Sequence, residues 1–160
     1  MNDDAMDLRS ARAFDVLYRE QSERLWRAVL AYTGDREVTD DAVSEAFAQC
    51  LRRGEAIRAP KAWVWRTAFQ IAAGELKRRR GPSPLTDDRS YEMPEPAWDL
   101  LAALRSLPER QRAVLVLHYY AGYPTAEIAR ILGSTAATVR VHLSRGRRRL
   151  RKLLEEEDDA

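Results

Sequence analysis

The stretch from Gly81 to Pro96 constrains this chain more than any other. Gly81-Pro82-Ser83-Pro84 and Met93-Pro94-Glu95-Pro96 flank a short acidic segment. Proline gives no N–H to a helix or a sheet ladder and pushes its predecessor out of the α region. The stretch therefore reads as a stiff, solvated linker, and folding must happen on either side of it. On both sides apolar residues recur at three-, four- and seven-residue spacings, with no convincing alternation of strand type, so an all-α chain is expected. At 160 residues it is short for most large enzyme scaffolds and suits two small domains.

Before the linker, Phe14, Leu17, Tyr18, Leu25 and Val29 mark one face of a long helix that Thr33-Gly34-Asp35 stops. A second helix is expected from near Thr39 or Asp40, with acidic residues in its first turn where the helix dipole favours them. Its apolar stripe is Ala42, Val43, Ala46, Phe47, Cys50 and Leu51, and Gly54 closes it. A third helix is expected over 61–80, burying Val64, Trp65, Ala68, Phe69, Ala72 and Leu76. The opposite face of that helix carries Trp63, Arg66, Gln70 and Lys77 in one line. An aromatic ring, cations and an amide in a row suit single-stranded nucleic acid, whose bases stack on rings and whose phosphates follow the cations. A solvated face with a tryptophan at its rim would look the same. On the second helix, Asp41 and Glu45 are one turn apart on the exposed side. Like charges at that spacing cost a few tenths of a kcal/mol, a cost that a basic protein partner would offset.

The net charge of +2 averages an uneven distribution. Residues 104–152 carry 11 basic and two acidic side chains, while 81–103 carry one basic and five acidic, and 153–160 are acidic only. A compact basic module points to a polyanion. Within it, Pro108-Glu109 opens a helix. The apolar run 113–120 suits a helix better than a strand, given its length and proline start. Thr125 is expected to cap a short helix over 126–132, Gly133 to make a sharp turn, and Thr135 to cap a helix from Ala136. A short helix, a glycine turn and a second helix rich in arginine form a helix-turn-helix pattern. On the wheel, Ile128, Leu132, Val139, Leu143 and Leu150 pack inward. Arg140, Val141, Ser144, Arg145 and Arg148 remain outside, with Thr138 in the first turn. A recognition helix needs that division, because its buried face fixes the angle at which its exposed face meets base edges and phosphates.

Five blocks in this order resemble an extracytoplasmic-function (ECF, group IV) RNA polymerase sigma factor of the sigma-70 family. They are Phe14-Asp15-Val16-Leu17-Tyr18, Asp40-Asp41-Ala42-Val43-Ser44-Glu45-Ala46-Phe47, Ala62-Trp63-Val64-Trp65-Arg66, Leu107-Pro108-Glu109-Arg110-Gln111-Arg112, and Ala126-Glu127-Ile128-Ala129 through Thr138-Val139-Arg140. The resemblance implies two small helical domains: region 2, a three-helix bundle, over 8–80, and region 4, a helix-turn-helix, over 100–153. A Pro-rich acidic linker over 81–99 joins them, and an acidic tail covers 154–160. It further implies that the Asp41 and Glu45 helix docks on the clamp helices of the polymerase β′ subunit. The loop 54–60 with Trp63, Arg66, Gln70 and Lys77 would capture the melted −10 element. The helix carrying Thr138, Arg140, Val141, Ser144, Arg145 and Arg148 would read the −35 element, and region 4 would sit on the β flap. Partners implied are RNA polymerase core, promoter DNA and, as a candidate, an anti-sigma factor. Gln70 stands where the family commonly has Asn, and Gly74 where it often has Asp.

Other functions find less support. Cys50 is the single cysteine and His118 and His142 the two histidines, so neither a metal site nor a cofactor is expected. No phosphate-binding glycine loop is present, and His142 and Ser144 lack an orienting acid, so no catalytic residues are assigned and an enzyme is not expected. A stand-alone helix-turn-helix regulator remains the alternative. The acidic start Met1-Asn2-Asp3-Asp4 and the lack of an apolar run near the roughly 20 residues a bilayer needs lead us to expect a cytoplasmic protein without a membrane partner.

Overall fold

The computed structural model describes residues 2–79 and 95–159, with side chains over 8–79, 100–156 and 158–159. The first part holds three helices: α1 (Asn2–Thr33), α2 (Arg36–Arg53) and α3 (Pro60–Arg79), with a single 3₁₀ turn (Gly54–Ala56) between the last two. Leu25, Ala28, Val29 and Tyr32 of α1 are buried against Val43, Ala46 and Phe47 of α2 and Val64, Trp65, Ala68, Phe69 and Ala72 of α3. The expected stripes account for most of this core. Leu51 and Tyr18 do not follow them, being 57% and 49% exposed. At about 1.5 Å per residue α1 is some 48 Å long, against about 30 Å for α3, so its N-terminal half overhangs the bundle. There α1 and α2 diverge around an open groove of about 620 Å³, lined by Phe14, Leu17, Cys50, Leu51 and Ile57.

The second helix starts earlier than expected. Gly34 takes φ +64° and donates to Leu30 O at 2.7 Å, a left-handed turn that closes α1 at little steric cost for glycine. Asp35, in extended conformation, then accepts from Val38 N and caps α2. Thr39, expected near the start, is instead buried within the first turns, its hydroxyl donating to Asp35 O at 2.7 Å and lying 2.8 Å from Thr33 Oγ1. A short polar side chain that finds carbonyl and hydroxyl partners is stable in a core.

The second part comprises α4 (Glu95–Arg105), α5 (Glu109–Leu115), a π turn that prolongs α5 (Val116–Tyr120), α6 (Thr125–Leu132) and α7 (Ala136–Asp158). α4 thus begins inside the stretch read as linker, and α7 runs on through the acidic tail; residues 80–94, which include most of the expected linker, lie outside the described residues. The apolar run is helical, and Ala113 to Leu117 are all buried because α5 has α7 on one side and α1 on the other. A helix covered all round shows no polar face. Thr125 does not cap α6. Pro124 occupies that position without a side-chain hydrogen bond, and Thr125 is the first helical residue. Gly133, at φ +63°, makes the turn, and Thr135 Oγ1 accepts from Thr138 N at 3.2 Å, capping α7 as expected.

The two parts close on each other. α3 packs on α6, while α1 packs on α4, α5 and the π turn, and one continuous set of buried side chains runs through both. Trp65 meets Tyr123 edge to face at 5.7 Å. Tyr32 Oη donates to Glu109 Oε1 at 2.6 Å, and Arg112 Nε donates to Tyr32 O at 2.6 Å. Arg105 Nη1 reaches Gly34 O, and Arg24 Nη2 reaches Tyr120 O. Among the described residues no helix is long and apolar enough to cross a membrane.

Candidate nucleic-acid interface

The seat of α7 follows from its buried face. Val139 and Leu143 are buried with Ile128 of α6, and Leu132 and Leu150 are partly covered. One turn further on, Gly146 lies directly against α5: a Cβ there would sit 3.2 Å from Leu115 Cδ1 and 3.3 Å from Gln111 Cβ. A glycine in mid-helix is the local mark of that approach, and periodicity alone passes over it. With this face held, Thr138, Arg140, Val141, Ser144, Arg145 and Arg148 are all exposed. Thr138 Oγ1 lies 2.8 Å from Thr135 Oγ1, so its hydroxyl is engaged at the cap.

The electrostatics of this face are one-sided. Among the described residues Arg140, Arg145 and Arg148 form no ion pair, and Arg149, Arg151 and Lys152 continue the row, all exposed. His142, half-buried on the same helix, has its pKa lowered by burial and then by Arg110 and Arg145, so it is neutral near pH 7. Arg147, absent from the sequence reading, lies over the Tyr119 ring at 5.9 Å from its centroid.

On α3, Trp63, Arg66, Gln70 and Lys77 follow one side of the helix. The last three are exposed and Trp63 is half-buried against the core. Arg53, from the end of α2, lies over the Trp63 ring at 5.6 Å, so the aromatic surface carries a cation that the sequence reading did not place there. On α2, Asp41 and Glu45 are both exposed. Glu45 accepts from Gln49 at 2.9 Å and from Arg52 at 3.0 Å, and these bonds hold its carboxyl below the usual range. Asp40, beside them, accepts from Trp26 Nε1 at 2.7 Å. The α7 face, the α3 row and the α2 acidic pair thus occupy separate helices. Among the described residues no group of three or more His, Cys, Asp and Glu is placed to hold a metal ion.

Comparison with known proteins gives this arrangement a family. Residues 97–150 match the family model described as sigma-70, region 4. The chain is 32% identical over 152 residues to the ECF RNA polymerase sigma factor SigM of Mycobacterium tuberculosis, covering 89% of this chain and 77% of that protein. It is 32% identical over 156 residues to SigL of the same organism, covering 88% of each. In three dimensions it is similar to the sigma factor RpoE from Bartonella quintana, solved with the anti-sigma factor NepR, at a TM-score of 0.77 over 90% of this chain and 98% of that one; at 18% identity that likeness is one of fold. With two helical units, a helix-turn-helix at the second and relatives at this level over most of its length, the chain belongs to the ECF sigma factors, the subunits that direct RNA polymerase to promoters in transcription initiation.

Proposed function

We propose that three surfaces divide the work of promoter selection. The exposed face of α7, with Arg140, Val141, Ser144, Arg145 and Arg148 and with Thr138 at its start, reads the −35 element in the major groove. The row Trp63, Arg66, Gln70 and Lys77, together with the loop 54–60, holds the melted −10 strand. Asp41 and Glu45 dock on the β′ clamp helices, and region 4 rests on the β flap. The protein works by binding in the cytoplasm, without catalysis of its own, on polymerase core and promoter DNA, and an anti-sigma factor is its candidate regulator. The units that carry these roles are region 2 over 8–80 and region 4 over 100–153.

The observation that carries this reading is the division of α7. One side is clamped by Val139, Leu143 and Gly146, and the other presents unpaired arginines. Arginine makes paired hydrogen bonds to guanine or phosphate. Gln70 keeps the amide of the −10 row but reaches further than Asn. Run-off transcription with polymerase core and genomic fragments tests the whole. Specific initiation only when the factor is added supports it. Tight, palindromic duplex binding without core would favour a stand-alone regulator instead.

A further inference from the structure

His142 stands at the edge of the exposed α7 face, one turn after Thr138 and one turn before Arg145 and Gly146. The close approach of Gly146 to Gln111 and Leu115 brings the first turn of α5 alongside the turn of α7 that carries His142. Arg110, exposed in that first turn of α5, and Arg145, exposed on α7, both act on the imidazole and with burial keep it neutral. Neither arginine forms an ion pair among the described residues.

The other charged groups on the helices packed against α7 are engaged elsewhere. Glu109 and Arg112 of α5 bond to Tyr32, Arg105 of α4 bonds to Gly34 O, and Glu127 of α6 pairs with Arg130. Among the described residues no carboxylate acts on His142. Beneath the cluster two polar atoms lack a partner among the described residues: His142 Nδ1 and, on the facing helix, Gln111 Oε1, both buried. A neutral imidazole has one N–H and a protonated one has two. Once protonated, His142 donates outward through Nε2 and inward through Nδ1, where the Gln111 amide oxygen is an acceptor on the neighbouring helix.

Three cationic groups crowded together repel one another, and an oxyanion set among them turns that repulsion into attraction. Guanidinium and imidazolium N–H groups match the oxygens of a phosphate. We infer that Arg110, His142 and Arg145 form a seat for a phosphate group of the DNA backbone, and that His142 takes up a proton from solvent as the phosphate is bound. Such a contact fixes how α7 lies on the duplex without reading its sequence. The choice of DNA as the source of the phosphate rests on the proposed promoter reading. The direction of the linkage follows from the charges. The free ring titrates below its ordinary value, the bound phosphate raises it, and affinity therefore increases as pH falls through the interval between the two.

The full chain and a 30-base-pair duplex of mixed sequence test the seat, because backbone contacts need no particular promoter. Binding isotherms should tighten about three- to tenfold from pH 7.5 to pH 5.5. His142→Gln should flatten that dependence, whereas His118→Gln should keep it. His142→Arg should be flat with pH, bind at pH 7.5 at least as tightly as the unaltered chain does at pH 5.5, and steepen the salt slope at pH 7.5 by about one. Proton NMR of the His142 ring should show its titration moving up when the duplex is added, and moving up in the free chain with Arg110→Ala, a response that a merely structural role for Arg110 does not give. An unaltered chain whose affinity is flat with pH, or a ring titration that the duplex leaves unmoved, would overturn the seat. Millimolar inorganic phosphate moving His142 as far as the duplex does would make this a site for free phosphate and overturn the assignment to DNA. Proton-linked duplex binding by a factor that fails in run-off transcription would sink the promoter reading and leave the seat standing.

Discussion

Two glycines lie inside helices with ordinary right-handed backbones, Gly74 in α3 and Gly146 in α7, and the same substitution should act oppositely on them. A glycine in a helix interior costs about 0.8–1.0 kcal/mol relative to alanine. At Gly74 an added Cβ meets nothing within 4 Å, so Gly74→Ala should recover that amount. For a chain of this size about 1 kcal/mol raises Tm by about 3 °C and moves the urea midpoint by roughly 0.5 M. At Gly146 the same methyl would press on Leu115 Cδ1 and on Gln111 Cβ. Gln111 Cβ moves only with the backbone of α5, so relief requires the two helices to part. Overpacking of this kind costs about 1–3 kcal/mol, which cancels or exceeds the propensity gain. Gly146→Ala should therefore be neutral to about 2 kcal/mol destabilising, and Gly146→Leu worse. Far-UV circular dichroism against temperature and urea measures both series. A rise in Tm for Gly146→Ala equal to that of Gly74→Ala would refute the close seat of α7 on α5. A fall for Gly74→Ala would refute the open face of α3.

Other expectations follow from the same surfaces. Thr135→Ala removes the cap of α7 and should cost about 1 kcal/mol, with the loss recovered by Thr135→Ser but not by Thr135→Val. Arg140→Ala should weaken −35 recognition by about 1–3 kcal/mol and relax base preference there if it meets a guanine, while Arg148→Ala should weaken all sequences alike and lower the salt slope by about one; binding isotherms at several salt concentrations separate the two, and equal losses of core binding would contradict the assignment. Asp41→Lys with Glu45→Lys should abolish pull-down of polymerase core while leaving the helix-turn-helix fold intact, and retained core binding would remove α2 from the docking surface.

Much of this architecture is legible in the linear chain because helical periodicity is local. The buried stripe of α3 and the exposed face of α7 could be drawn on a wheel, since each residue's direction is set by its neighbours within a turn or two. The wheel was less sure where short polar residues compete to cap. Asp35, Thr39 and Thr125 all suit a helix start, and only the path of the chain through Gly34 and Pro124 decides which serves. Nor does a wheel show how far a partner covers a face: Leu51 stays exposed, and Tyr18, itself half exposed, packs its ring on Phe47 at the edge of the core.

The sequence by itself therefore determined that the chain is helical, most of the apolar sides of its helices, and the resemblance to a family. Only the tertiary structure decided that the units close on each other, that Arg53 lies over Trp63, that Gly146 lies close against α5, and that Tyr32 is held by Glu109 and Arg112 from the far unit. The physical reason is that an apolar period records that a face is covered, not what covers it. Tyr32 and Glu109 stand 77 positions apart, and a contact made across that distance leaves no mark in the spacing of either segment.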